Sequence, residues 1–221
     1  MIRTARNHPC VAIYGIGNEC NTENPEAKGF FTSLAETARG EDPTRLVSYA
    51  ALYGIVGPLA DMVDVLGVNS YWGWYDKVFG GKGLAPGGSP LSNGLAREPI
   101  NLADMRDMLD QVLRGRRKDL VLFLTEFGAD SIPGFYAAGR DLWSENYHAE
   151  LLVEIFALSK EYPRIAGTFP FCFSDYRDPS KTVDGYWNEF NLKGAVTYNR
   201  EKKLAFNALR MLYDGKQNIA P

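Results

Sequence analysis

Short apolar runs alternate with longer amphipathic stretches along the chain. Residues 11–17 (VAIYGIG) are apolar almost throughout, as a strand buried on both faces is. Asn24 followed by Pro25 supplies an N-cap and a first-position proline, so a helix is predicted from there to residue 39, stopped by Gly40. Residues 45–50 (RLVSYA) predict the next strand, 58–63 a short helix and 65–69 (VLGVN) a third strand. Asn101 caps a helix whose apolar positions Leu102, Met105, Leu109 and Val112 follow a 3.6-residue repeat up to Gly115. Residues 120–125 (LVLFLT) read as a strong strand. Residues 143–162 read as a long helix with Tyr147, Leu151, Ile155 and Leu158 on one stripe. The last strand falls at 165–173 and a final helix at 201–213.

Strands alternating with helices predict a parallel sheet with helical crossovers. Two architectures fit: an open doubly wound sheet, or part of a (β/α)8 barrel. No GxGxxG or GxxxxGK[ST] follows a strand, which weakens the nucleotide-binding option. The polar residues decide between them. The first strand runs into Asn18-Glu19, the third into Asn69-Ser70-Tyr71-Trp72, the fourth into Thr125-Glu126 and the last into Ser174-Asp175. Functional side chains gathered at the C-terminal ends of parallel strands mark a barrel active site. Five strands are predicted, where a barrel has eight. The Gly-, Pro- and Ser-rich stretch 76–99 is longer than a compact domain normally tolerates and is expected to be functional or mobile, its Gly-rich part around 80–94 being mobile or partly ordered by a partner chain.

Composition narrows the options. The 221 residues are 45% hydrophobic and 23% charged, ordinary values for a globular domain with a sizeable core. A net charge of -3 argues against nucleic acid or anionic membrane as the main partner. No apolar run approaches the ~20 residues of a membrane span, and the opening MIRTARNHPC lacks the apolar core of a signal peptide. Cys10 and Cys20, flanking a strand, would lie roughly 30 Å apart, too far for a disulfide. All three cysteines are expected to be reduced, which suits the cytoplasm. With two histidines and no CxxC or HExxH, no metal site is expected. Aromatic residues make up 13%, either for a packed core or to line a sugar pocket.

Glu19 and Glu126 each follow an apolar strand. Glycosidic cleavage needs two carboxyl groups, one to protonate the leaving oxygen and one to attack the anomeric carbon or activate water. Taken singly, each Glu could equally cap or salt-bridge a strand end.

The surrounding segments make the pair specific. Arg6-Asn7-His8-Pro9 with VAIYGIGNE resembles the acid/base segment of glycoside hydrolase family 2, and LTEFGADSIPG resembles its nucleophile segment. VNSYWGWY resembles the aromatic segment between them, and DLWSENYH, FSDY and NLKGAVTYNREKKLAF extend the likeness in the same order. Within the family the chain most resembles the β-glucuronidases, whose Asn-x-Lys-Gly motif grips the substrate carboxylate. That motif reads Asn191-Leu192-Lys193-Gly194 in this chain.

The resemblance implies a retaining hydrolase of β-glucuronides with Glu19 as acid/base and Glu126 as nucleophile, needing no cofactor. Asn18 would sit beside the sugar 2-hydroxyl, with Tyr71 and Tyr75 near the nucleophile and the sugar. Asn69 would line the pocket or form a turn, and Asp175 would contact sugar hydroxyls or make a salt bridge. Trp143 is expected in the core and His8 in a structural place. Phe171 and Cys172 stand where the family carries Trp-Asn, which alters a pocket wall. The implied fold is a TIM-type (β/α)8 barrel, of which residues 1–221 would be the C-terminal portion, strands four to eight. The upstream strands and β-sandwich domains would be absent. Expected partners are a glucuronide and either a second copy or the rest of the barrel. Two alternatives stay open: β-galactosidase or β-mannosidase specificity, or an incomplete fragment that only binds sugar or a partner chain.

Overall fold

In the computed structural model, which describes residues 1–55, 57–75, 100–114, 118–137, 141–182 and 187–215, all five apolar runs become strands. They are β1 (Ile13–Asn18), β2 (Leu46–Leu52), β3 (Val65–Asn69), β4 (Val121–Glu126) and β5 (Ile165–Thr168). They form one sheet in chain order, β1-β2-β3-β4-β5. β1 pairs with β2, β2 with β3 and β4 with β5 in parallel. No β1–β5 pairing closes the sheet among the described residues. β5 stops short of the predicted residue 173, because Pro170 follows with no N–H to give a ladder.

The helices are α1 (Ile2–Ala5), α2 (Ala27–Glu41), α3 (Ala103–Leu113), α4 (Glu145–Lys160) and α5 (Leu204–Tyr213). The short α1 was not predicted. Asn24 does not cap α2 directly. Its Oδ1 accepts from Glu26 N at 2.9 Å and turns the chain just before the helix. Gly40 does not stop α2, since Asp42 N still donates to Ala38 O at 3.0 Å; the chain becomes extended only at Asp42. α3 is capped as predicted, Asn101 Oδ1 accepting from Ala103 N at 3.0 Å. α4 is capped by Ser144, whose Oγ accepts from Tyr147 N at 3.1 Å. α5 starts three residues later than predicted, because Lys202 bridges to Val196 and Lys203 is held extended. The predicted helix at 58–63 is a 3-10 turn, Gly57–Asp61.

The chain divides into two compact units. The first comprises Met1–Ser70, Met105–Thr125 and Pro163–Thr168. Its core is the sheet, with Val47, Tyr49, Leu66, Val68, Leu122 and Leu124 all buried. Gly17 is required there: a Cβ would lie 2.9 Å from the rings of Phe31 and Tyr49. The β1–β2 register shifts between Gly15 and Asn18, and such a bulge re-aims the residues that follow it.

The second unit comprises Tyr71–Asp104, Glu126–Tyr162 and Phe169–Pro221. In it α4 packs on α5, and β6 (Tyr176–Arg177) and β7 (Phe190–Asn191) pair as an antiparallel ribbon. Trp143 lies in its core, as expected, edge-on to Trp74 at 4.9 Å and to Trp187 at 5.3 Å. His8 is exposed in the first unit and is held through its backbone: its N donates to Ala5 O, and its carbonyl accepts from Val11 N and Arg45 Nη2. The Gly/Pro-rich stretch 76–99 and Gly115 lie outside the described residues.

Candidate active site

In the first unit, Asn18 ends β1 and Glu19 follows it with φ +51°. A left-handed backbone at a residue other than glycine costs on the order of 1–2 kcal/mol. Neighbours hold it on both sides: Glu19 N donates to Ala50 O at 2.9 Å, and Cys20 N donates to Tyr49 Oη at 2.8 Å. Asn69, at the end of β3, is fully buried. Its Nδ2 donates to Glu19 Oε1 at 2.8 Å and to Asn18 Oδ1 at 3.0 Å. Its Oδ1 accepts from Thr125 Oγ at 2.7 Å. One buried amide therefore orients both side chains at the end of β1. Asn18 and Glu19 themselves are exposed.

In the second unit, Glu126, the last residue of β4, is half-buried, and its Oε2 accepts from Tyr71 Oη at 2.7 Å. The Tyr71 ring packs on Tyr75 at 5.1 Å and edge-on to Phe171 at 6.5 Å. Phe171 thus supplies an aromatic face beside Tyr71.

Lys193 is wholly buried. Its Nζ donates to Asp130 Oδ2 at 2.5 Å and to Tyr75 Oη at 2.8 Å. Asp130 also accepts from Trp74 Nε1 and from Leu192 N, each at 2.8 Å. Burial alone would push the Asp130 carboxyl up and the Lys193 ammonium down. Their mutual attraction prevails, holding the acid below and the base above its ordinary value. Asn191 Oδ1 accepts from Lys193 N, and its Nδ2 donates to Tyr176 Oη, both at 3.2 Å. Gly194 is obligatory: a Cβ would lie 2.1 Å from Asp175 N.

Asp175 is also buried. It accepts from Gly194 N at 2.8 Å and from Lys203 Nζ at 3.2 Å. Of its two readings, this geometry favours the salt bridge. Burial pushes Asp175 up and Lys203 down, each toward its neutral form. Lys203 Nζ also donates to Ser131 O and Leu192 O, tying the segment after Glu126 to the Asn-Leu-Lys-Gly motif.

The first unit therefore brings Asn18, Glu19 and Asn69 together. The second brings Glu126 to Tyr71, and Lys193 to Tyr75 and Asn191. Asp130, Lys181 and Lys203 escaped the sequence reading, and Thr125 was noted only as a strand-end residue beside Glu126. The one signal for Asp130 was an acid among small and apolar neighbours in Phe-Gly-Ala-Asp. All three cysteines are free. Among the described residues no group of His, Cys, Asp or Glu could hold a metal ion, and no helix is long and apolar enough to cross a membrane.

A parallel α/β sheet with carboxylates after β1 and at the end of β4 defines a barrel-type domain with acids at its strand ends. Residues 1–218 match the glycosyl hydrolases family 2, TIM barrel domain, and the chain belongs to that family. It is 28% identical over 218 residues to a β-glucuronidase of Paenibacillus borealis, covering 95% of this chain and 32% of the relative. The Faecalibacterium prausnitzii β-glucuronidase structure superposes with a TM-score of 0.75 at 25% identity, covering 100% of this chain and 34% of the other. The family 2 β-galacturonidase of Eisenbergiella tayi bound to galacturonate superposes with a TM-score of 0.78 at 22% identity, covering 97% and 35%. The chain thus spans about a third of the length of the relatives it matches.

Proposed function

We propose that this chain carries the catalytic residues of a retaining β-glycosidase that cleaves glucuronides. The observation that carries the proposal is that each of two strand-end carboxylates has its own buried orienting donor, Asn69 for Glu19 and Tyr71 for Glu126. The likeness to the Paenibacillus borealis and dog β-glucuronidases supports the substrate class.

In this reading the protonated Glu19 gives its proton to the glycosidic oxygen while the Glu126 carboxylate attacks the anomeric carbon. The aglycone leaves as an alcohol and the sugar stays as an ester on Glu126. Water then attacks the same carbon as the Glu19 carboxylate takes its proton, and the bond to Glu126 breaks. Asn18 meets the sugar 2-hydroxyl. Asn191, Lys193 and Tyr75 face the end of the sugar that bears the carboxylate. The remaining barrel strands would come from further chain or from an associated copy, with Met1–Pro221 as strands four to eight.

One observation favours a neutral sugar instead: the charge of Lys193 is already matched by Asp130. Lys193→Ala separates the readings. Under the glucuronide reading it harms hydrolysis of an aryl glucuronide far more than that of an aryl galactoside or mannoside. Equal loss on all substrates overturns that reading. A 2-deoxy-2-fluoro-glucuronyl fluoride is expected to add one sugar mass to the peptide holding Glu126. Turnover that survives Glu126→Ala refutes its role as nucleophile.

A further inference from the structure

Consecutive residues of β2 hold the two peptides that flank Glu19. Ala50 O accepts from Glu19 N at 2.9 Å. The Tyr49 hydroxyl grips the far side: Oη accepts from Cys20 N at 2.8 Å and donates to Cys20 O at 3.2 Å. One hydroxyl thus spends its proton and a lone pair on the residue next to Glu19. Glu19 itself sits at φ +51°, a backbone conformation that residues other than glycine rarely adopt. Such a conformation persists only where its surroundings over-determine it, and these contacts do so from both sides.

The ring that carries the hydroxyl is fixed. Tyr49 is buried, and Phe31 packs edge-on to it at 5.2 Å. Gly17 lies against the same ring, where a Cβ would stand 2.9 Å from it. The missing side chain at Gly17 clears the path by which a residue of β2 reaches the end of β1. Burial pushes the Tyr49 phenol up to about 12, so the hydroxyl keeps its proton at neutral pH. Asn69 and Tyr49 therefore act on different parts of one residue. Asn69 holds the carboxyl oxygen Oε1, and Tyr49 holds the backbone.

We propose that Tyr49 is a positioning residue for the acid/base. Its hydroxyl sets the turn at Glu19 and Cys20, and through that turn the direction from which the Glu19 carboxyl meets the glycosidic oxygen. The inference rests on the reading of Glu19 as acid/base and deepens it.

The test compares two aryl glycosides whose leaving groups need different amounts of help. A 2,4-dinitrophenolate departs without a proton, whereas a phenol depends on the acid. The sugar is the one that wild type cleaves fastest among glucuronide, galactoside and mannoside. kcat/KM, which reports the breaking of the glycosidic bond, is measured on both substrates for wild type, Tyr49→Phe and Glu19→Ala in the protein that carries this chain. Tyr49→Phe keeps the ring against Phe31 and Gly17 and removes only the hydroxyl. Cys20 is exposed, so water can take over its two backbone bonds. Tyr49→Phe is expected to lower kcat/KM about tenfold or more on the phenyl glycoside and less than about twofold on the dinitrophenyl one. The ratio between the two substrates is read within one preparation, so a loss of folded protein does not change it. If Glu19→Ala shifts the ratio and Tyr49→Phe leaves it at the wild-type value, Tyr49 is only structural and this inference alone falls. If Glu19→Ala leaves the ratio unchanged, or wild type cleaves neither glycoside, the acid/base reading falls and this inference with it.

Discussion

Asp130 and Lys193 form an ion pair at 2.5 Å in which neither side chain reaches solvent. Such a pair adds little net stability over an apolar substitute, but losing one member strands the other charge in the interior. Asp130→Ala should therefore lower the unfolding free energy by about 3–5 kcal/mol, read from the urea midpoint at neutral pH. Asp130→Leu combined with Lys193→Met should recover most of that loss, and the double variant should still have no glucuronide turnover. A single variant as stable as wild type would mean that the pair is not buried as described.

Asn69 links three side chains through one amide. Asn69→Ala frees Glu19 and Asn18 from their shared donor and takes the acceptor from Thr125. A misplacement of about 1 Å at a reacting group can cost 10²-fold. Turnover should fall by that order, with a stability loss of about 1–3 kcal/mol from the orphaned polar partners. A variant that loses stability but keeps wild-type kcat would reduce Asn69 to a structural residue.

The strands and the two glutamates were legible because each strand is an apolar run whose first polar residue marks its end; burial on both faces, expected for residues 11–17, is found along all of β3 but not in β1, where Gly15 is exposed. VAIYGIG and LVLFLT each gave a strand within two residues of its observed bounds. The helix start at Asn101 was legible through local capping chemistry, and the helix after Ser144 through its apolar stripe alone. What was hidden depends on partners far along the chain. Asp130 meets Lys193 across 63 residues and Lys181 meets Tyr75 across 106, so no local pattern marks Asp130 or Lys181, and Lys193 stood out only through the Asn-x-Lys-Gly resemblance. Gly40 misled for the same kind of reason: a glycine ends a helix only when the chain turns left-handed there, and the hydrogen bond from Asp42 N to Ala38 O carries the helix past it.

Tyr71 Oη donates to Glu126 Oε2 at 2.7 Å, while its ring is packed by Tyr75 and Phe171. Tyr71→Phe removes the donor and keeps the ring. Hydrogen bonds to charged groups contribute about 1.5–3 kcal/mol, so kcat should drop between about tenfold and 150-fold. KM should barely move, and the melting temperature should stay close to wild type. An unchanged kcat would show that Tyr71 does not orient the nucleophile.

His148 gives the protein a pH-dependent stability that catalysis does not use. Its side chain is buried, with Nδ1 3.2 Å from Ser131 Oγ. Burial, helped by the Lys203 ammonium, holds its pKa well below the ordinary 6.5, and Asp130 opposes this only in part. Above pH 6.5 the imidazole is neutral in both folded and unfolded chains and costs nothing. As pH falls below 6.5, the unfolded chain binds a proton that the native state refuses, so stability is lost with a limiting slope of about 1.4 kcal/mol per pH unit. Asp175 acts in the opposite sense at lower pH. Its folded pKa is raised, so it favours the native state as pH falls toward its ordinary range. Subtracting a variant that keeps Asp175 but cannot titrate at position 148 isolates the histidine. Urea unfolding at pH 7, 6 and 5 should show wild type losing stability relative to His148→Asn across that interval. Parallel curves would mean that His148 takes up its proton in the folded state.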